Sequence, residues 1–245
     1  MNIANEYTGK IYKRYNGVEY YFKLKKTNDS LIEANERLYN KLRQDFEIPD
    51  TVNKSVIDSI RIDSIEQYRK FQYMQAKVIG NSVNLPNNYI QLSRGSLQGV
   101  VKDLGVTDAN NAVVGTVVDV SNNYSVVMSL LHMQSNTSAK LKKTGQEGSV
   151  VWDGKPNMVL FKGIPKSVVV TRGDSVVTSG FTERFPYGLL IGTVEEITTE
   201  KSSNTLTLRI KTAADFYNIQ FVNILNNLKK DEPAQLLKKV KKVNE

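Results

Sequence analysis

The chain has 245 residues, 40% hydrophobic and 24% charged, a balance that suits a folded chain and argues against general disorder. It has no cysteine, which excludes disulfides, a thiolate nucleophile and cysteine-ligated metal, and a single histidine, His132, which leaves little for a histidine-based metal centre. The formal net charge of +8 is spread thinly, and only the tail over 229–245, with Lys238, Lys239, Lys241 and Lys242, is a basic cluster, so neither a nucleic-acid interface nor a cofactor is expected.

From Tyr7 to Phe46 there is no proline, and apolar residues recur at three- and four-residue steps, as in an amphipathic helix. The cleanest register places Leu24, Leu31 and Leu38 on one seam position, with Tyr21, Asn28, Asn35 and Leu42 on the other. This is the a/d pattern of a coiled coil, and residues 1–48 are expected to pair two chains through these seven positions. Asn28 and Asn35 favour two parallel strands in fixed register, because a buried amide is satisfied by its own equivalent opposite. Ile48-Pro49-Asp50 ends the rod, since proline disfavours helix at the residue before it. Residues 49–75 read as a connector of weak helical or mixed character.

Beyond residue 75 short β-branched runs dominate, among them Val113 to Val120, Ser125 to Leu131, Ser149 to Trp152, Ser167 to Thr171, Ser175 to Thr178, Leu189 to Ile197, Thr205 to Ile210 and Ile219 to Ile224. Turn signals such as Asn122-Asn123 and Asp153-Gly154-Lys155-Pro156 part them too closely for crossover helices, so the sheets are expected to be antiparallel sandwiches or small barrels. One internal echo stands out. Val114-Gly115-Thr116-Val117 recurs as Ile191-Gly192-Thr193-Val194, and a glycine inside a strand marks a bulge or a sharp bend.

A catalytic reading has to be weighed. Gly173-Asp174-Ser175 copies the triplet around a trypsin-like nucleophile, and His132 and Asp153 precede it in the His, Asp, Ser order of that fold. The residues that follow, Val176-Val177, read as ordinary strand where an oxyanion-binding turn is needed. No site for catalysis is therefore expected.

The ordered set Ala76-Lys77-Val78-Ile79-Gly80-Asn81-Ser82, Asn88-Tyr89, Arg94-Gly95, Gly99-Val100, Leu104-Gly105-Val106 and Val114-Gly115-Thr116-Val117 resembles MreC, the bacterial rod-shape-determining family. The resemblance continues through Trp152-Asp153-Gly154, Ile164-Pro165, Gly173-Asp174, Thr178-Ser179-Gly180, Phe185-Pro186-Tyr187-Gly188 and Ile191-Gly192-Thr193-Val194. It implies a mainly β protein with an N-terminal coiled coil and two small antiparallel barrels in a chymotrypsin-like arrangement, the second inserted in the first. The expected division is about 76–124 plus 205–228 for the first barrel and about 125–204 for the second, within a β-region of 76–228. The resemblance further implies a non-enzymatic scaffold of cell-wall elongation at the bacterial inner membrane. Its expected partners are a second copy, a penicillin-binding transpeptidase, RodA, MreD and the MreB system. Family members carry a membrane-spanning N-terminal helix; the sequence has no run of roughly eighteen apolar residues, so the chain is expected to be the extracytoplasmic portion. An inactive or cryptic trypsin-like serine protease is the alternative, and a wall-glycan-binding module the one after it.

Overall fold

The computed structural model describes residues 25–41, 46–47, 59–62, 65–199 and 204–228. The chain divides into two compact units, residues 1–41 and 42–245. In the first, residues 25–39 are helical. The seam positions Tyr21, Leu24 and Leu42 lie outside the described residues, whereas Asn28, Leu31, Asn35 and Leu38 fall on the helix and are exposed.

The second unit is all β. It begins with an antiparallel three-stranded sheet of β1 (Phe46–Glu47), β2 (Ser59–Ile62) and β3 (Ile65–Arg69) in the order β1-β3-β2. The first barrel is built from β4 (Phe71–Asn81), β5 (Tyr89–Leu92), β6 (Gly105–Asp108), β7 (Val113–Val120), β8 (Ser125–Ser129) and β15 (Phe221–Asn227). The second uses β9 (Asn136–Leu141), β10 (Glu147–Val151), β11 (Met158–Pro165), β12 (Ser175–Thr178), β13 (Leu190–Thr199) and β14 (Thr205–Thr212). Both close, in the orders β15-β4-β5-β8-β7-β6 and β9-β10-β11-β14-β13-β12, with every pair antiparallel.

Alternation of apolar and polar residues drives closure. In β14 Leu206, Leu208 and Ile210 point inward between exposed or half-buried neighbours. The first core packs Phe71, Tyr73, Ile90, Leu92, Val106, Val127 and Ile224; the second packs Leu141, Val150, Val159, Phe161, Val176, Ile191 and Ile210, all fully buried or nearly so. Each such aliphatic or aromatic side chain contributes about 1.5–3 kcal/mol relative to exposure.

The two barrels have the same winding. Position by position, β15, β4, β5, β8, β7 and β6 correspond to β9, β10, β11, β14, β13 and β12. Val106 pairs with Gly115 as Val176 pairs with Gly192, and Gly105 pairs with Thr116 as Ser175 pairs with Thr193. Register shifts fall at matching places, after Val106 and Val176 and again after Val117 and Val194. The turn before β6 is also repeated: Asp103 N–H donates to Val117 O at 2.9 Å and Gly173 N–H to Val194 O at 2.8 Å. Asp103 and Gly173 both have positive φ, 67° and 91°. The strand that opens the second barrel has its counterpart in the last strand of the first, so the second barrel is inserted between β8 and β15. The echo in the sequence is thus a structural repeat.

Four boundaries differ from the sequence expectation, the first being that the helix expected over 1–48 does not reach Phe46–Glu47, which form strand β1 paired with β3. The first barrel starts at Phe71, five residues before Ala76, because β15 pairs with β4 as far as Asn227 with Phe71. The expected connector over 49–75 holds β2, β3 and the start of β4, whose run of buried residues at Tyr73, Met74, Gln75 and Ala76 breaks the alternation that marks a strand. Ser125 to Ser129 belongs to the first barrel and Thr205 to Thr212 to the second, the reverse of the division at 124 and 204. A tight hairpin, closed by Ser121 N–H donating to Tyr124 O at 2.8 Å, keeps β8 with β7, and the ladder with β13 keeps β14 in the second barrel. The crossings between barrels are residues 130–135 and 213–220. Ser167 to Thr171 forms no strand; Val168 N–H turns back onto Pro165 O at 3.0 Å.

Candidate interaction surfaces

The residues of the protease reading are not brought together. His132 lies in the 130–135 crossing, buried, with its ring edge-on to Tyr89 at 4.9 Å between centroids. Its Nδ1 accepts the Gln134 N–H at 3.0 Å, so the nitrogen that a triad carboxylate would orient is already taken. Asp153 follows β10 and pairs with Arg209 at 2.9 Å. Ser175 starts β12, inside the ladder with Thr193. The triplet before it closes a turn: Asp174 accepts from Thr171 N–H at 2.8 Å and Thr171 Oγ1 at 2.9 Å. These bonds hold the Asp174 carboxyl below its ordinary range, the Thr171 N–H contributing most. The repeat gives the reason for the resemblance to a nucleophile motif. Gly173-Asp174-Ser175 is the counterpart of Asp103-Leu104-Gly105, so it is a barrel turn used twice. Trp152 anchors the end of β10 by donating from Nε1 to Lys155 O at 2.8 Å.

A cleft of about 380 Å³ lies among Asp108, Asn110, Asp215, Asn218 and Phe221. Its acids are occupied with turns. Asp108 Oδ1 accepts Asn110 and Ala112 N–H at 2.9 and 2.8 Å, and burial pushes its carboxyl up against the lowering effect of these bonds. Asp215 accepts Tyr217 N–H at 3.1 Å and Asn218 Nδ2 at 2.6 Å. No cluster of His, Asp or Glu among the described residues could hold a metal ion.

The segment from Ser179 to Gly188, between β12 and β13, has a different character. It is strapped to both barrels. On its own barrel Thr178 Oγ1 donates to Pro186 O at 2.6 Å and accepts Leu189 N–H at 3.0 Å, while Ser179 and Ser138 share a hydroxyl bond of 2.9 Å. Toward the first barrel Asn227 Nδ2 donates to Glu183 O at 3.0 Å, and Arg184 pairs with Asp103 at 3.3 Å. Phe185 is buried against Gly105, where a Cβ would stand 2.3 Å from Arg184 O and 2.6 Å from the Phe185 ring. Between these anchors two aromatics face solvent, Phe181 at 72% and Tyr187 at 57% exposure. The Lys140 ammonium sits 3.9 Å from the Tyr187 ring centroid, a cation–π contact that fixes the ring. Phe185-Pro186-Tyr187-Gly188 belongs to the family resemblance, but nothing in the sequence tells which of its aromatics turns inward.

The sequence profile described as "Rod shape-determining protein MreC, barrel core" matches residues 78–226. The cell shape-determining protein MreC of Listeria monocytogenes is 27% identical over 208 residues, covering 82% of this chain and 70% of that protein. The MreC of Bacillus subtilis is 28% identical over 211 residues, covering 79% and 72%. Among solved structures, Listeria MreC has a TM-score of 0.58 at 24% identity, covering 86% of this chain and 92% of that one. A Helicobacter pylori MreC, solved in a complex with penicillin-binding protein PBP2, has a TM-score of 0.53 at 16% identity, covering 65% and 99%. With a repeat of two closed barrels and a profile match that spans both, the chain belongs to the MreC family of rod shape-determining proteins.

Proposed function

We propose that this chain is the extracytoplasmic part of a non-enzymatic scaffold of cell-wall elongation, anchored at the inner membrane, that holds a penicillin-binding transpeptidase through the strap between β12 and β13. The observation that carries the reading is the exposed aromatic pair, Phe181 and Tyr187, on a loop pinned from both sides. Aromatic side chains on a pre-ordered backbone bury large area with little loss of freedom and dominate interface energetics. The H. pylori relative, solved with PBP2, supports the choice of partner. The first unit supplies spacing and valency: its exposed Leu31 and Leu38, 58% and 63% accessible in one chain, form a stripe that a second copy covers. The scaffold acts by favouring the productive conformation of the synthase, and through RodA and MreD it joins the wall machinery to the MreB system.

The test is direct binding of the protein to an immobilised extracytoplasmic domain of the transpeptidase. Phe181→Ala with Tyr187→Ala should weaken binding by at least about tenfold, with an unchanged melting temperature. Undiminished binding by that variant would remove the strap from the interface.

A further inference from the structure

We propose that His132 is an acid-sensitive latch on the crossing from the first barrel to the second: protonation of its imidazole removes the acceptor that holds the Gln134 N–H inside the 132–135 turn, and the crossing loosens.

Residues 130–135 carry the chain out of the first barrel, and a small set of bonds fixes them. Leu131 O accepts from Asn88 Nδ2 at 2.6 Å, and Met133 N–H donates to Pro86 O at 3.1 Å. Ser135 N–H donates to His132 O at 2.8 Å, and Gln134 N–H to His132 Nδ1 at 3.0 Å. An imidazole nitrogen that accepts an N–H carries no proton, so the neutral ring has its proton on Nε2. Only Nδ1 can take a second proton. That proton would face the Gln134 N–H, donor against donor, so this bond is lost and the turn keeps only its backbone bonds. Nor can the positive ring be accommodated where it lies. The side chain is 1% exposed, and Nε2 is buried without a protein acceptor among the described residues.

The groups packed on it offer no compensating charge. Tyr89 of β5 lies against the ring in edge contact. Its own turn contributes uncharged Met133 and Gln134, and the β4–β5 loop contributes uncharged Pro86 and Asn88. Burial alone lowers its basicity, with no charged neighbour acting on it. The latch would tie the freedom of the second barrel to the acidity of its surroundings.

The experiment uses the whole chain. Its one histidine gives a single imidazole signal by NMR, and amide exchange, corrected for intrinsic rate, reads the turn at pH 7 and pH 5. The expected results are a midpoint below about 6.5 and a loss of Gln134 protection of about tenfold in acid, with Val177 in β12 unaffected. In His132→Asn the side-chain oxygen replaces Nδ1 as a non-titrating acceptor, so protection should persist at both pH values. In His132→Leu it should be absent at both. A midpoint at or above about 6.5, pH-independent protection of Gln134 in the wild type, or the same acid loss in His132→Asn would overturn the proposal. Should the Asn variant not fold, the wild-type titration and exchange decide it.

Discussion

Gly115 and Gly192 occupy the same place in the two barrels, and each lies against the carbonyl of the neighbouring strand. A Cβ at Gly115 would stand 2.2 Å from Met128 O, and one at Gly192 would stand 2.1 Å from Lys211 O. Met128 and Lys211 are themselves counterparts, each one residue before the partner of the glycine in its ladder. Gly115→Ala and Gly192→Ala should therefore each lower stability by about 2–4 kcal/mol, since the strands must separate to admit the methyl group. Gly154→Ala is the control. It meets nothing within 4 Å but has φ +92°, so its cost of about 1–2 kcal/mol comes from backbone strain alone. Urea denaturation of the three variants checks the ranking.

That the glycines were visible in the sequence and the boundaries were not has a physical reason. Gly-Thr-Val within β-branched runs is a local signal, readable wherever a strand must bend. The assignment of β8 and β14 to barrels depends on which hairpin each strand closes, and both neighbouring runs look alike in composition. β4 was hidden by its own burial: Tyr73, Met74, Gln75 and Ala76 are all inward or covered, so the period of two disappears. Its pairing with β15 spans the entire inserted barrel, a relationship no local pattern carries. The strap was half legible, because its aromatics were evident but their division into buried Phe185 and exposed Phe181 and Tyr187 depends on Gly105 from the other barrel.

The barrels are expected to be held together at the strap by Phe185 more than by the Arg184–Asp103 pair. Both members of that pair are substantially exposed, 40% and 57%, and such pairs contribute only about 0–1 kcal/mol. Phe185 is 3% exposed, and truncating a buried phenylalanine costs about 3–5 kcal/mol. Phe185→Ala should lower the unfolding midpoint markedly, while Arg184→Ala should leave it almost unchanged. Equal effects would shift the weight to the ion pair.

Acid should weaken the turn before β12 through Asp174, a contribution that its counterpart before β6 lacks at the matching position. In the folded chain the Asp174 carboxyl is held below its ordinary value by Thr171 N–H and by the threonine hydroxyl, so its contribution to stability is complete above the unfolded carboxylate range and is lost as pH falls through the folded value. The corresponding residue before β6 is Leu104, which does not titrate. The stability difference between wild type and Asp174→Ala should be constant above about pH 5 and shrink toward pH 2, as read by urea midpoints across that range. A difference that stays constant throughout would show that the carboxylate is not what holds the turn.

Covalent labelling separates the scaffold from the protease reading. With its Nδ1 engaged by the Gln134 N–H, His132 is not set to act as the base for Ser175, whose backbone lies in the β12–β13 ladder. A fluorophosphonate probe should leave Ser175 unmodified, and Ser175→Ala should bind the transpeptidase as the wild type does. Labelling that disappears in His132→Ala would establish a nucleophile and overturn the scaffold reading.

The first unit is expected to pair in parallel. An isolated helix is marginal in water, and residues 25–39 are helical with Leu31 and Leu38 exposed along one stripe, an arrangement that gains stability when a second copy covers it. Asn28 and Asn35 precede those leucines on the other seam position, where each amide can meet its own equivalent only in an aligned, in-register dimer. Replacing both by leucine removes the amides that select register and adds apolar surface to the seam. The double variant should melt at a higher temperature and sediment as a mixture of oligomers, while the wild type gives one dimeric species. A fragment beginning at Thr51 should be monomeric at concentrations where the whole chain is paired. If that fragment dimerises as tightly as the whole chain, the helix is not the interface and the pairing surface must be sought on the barrels or on β2 and β3.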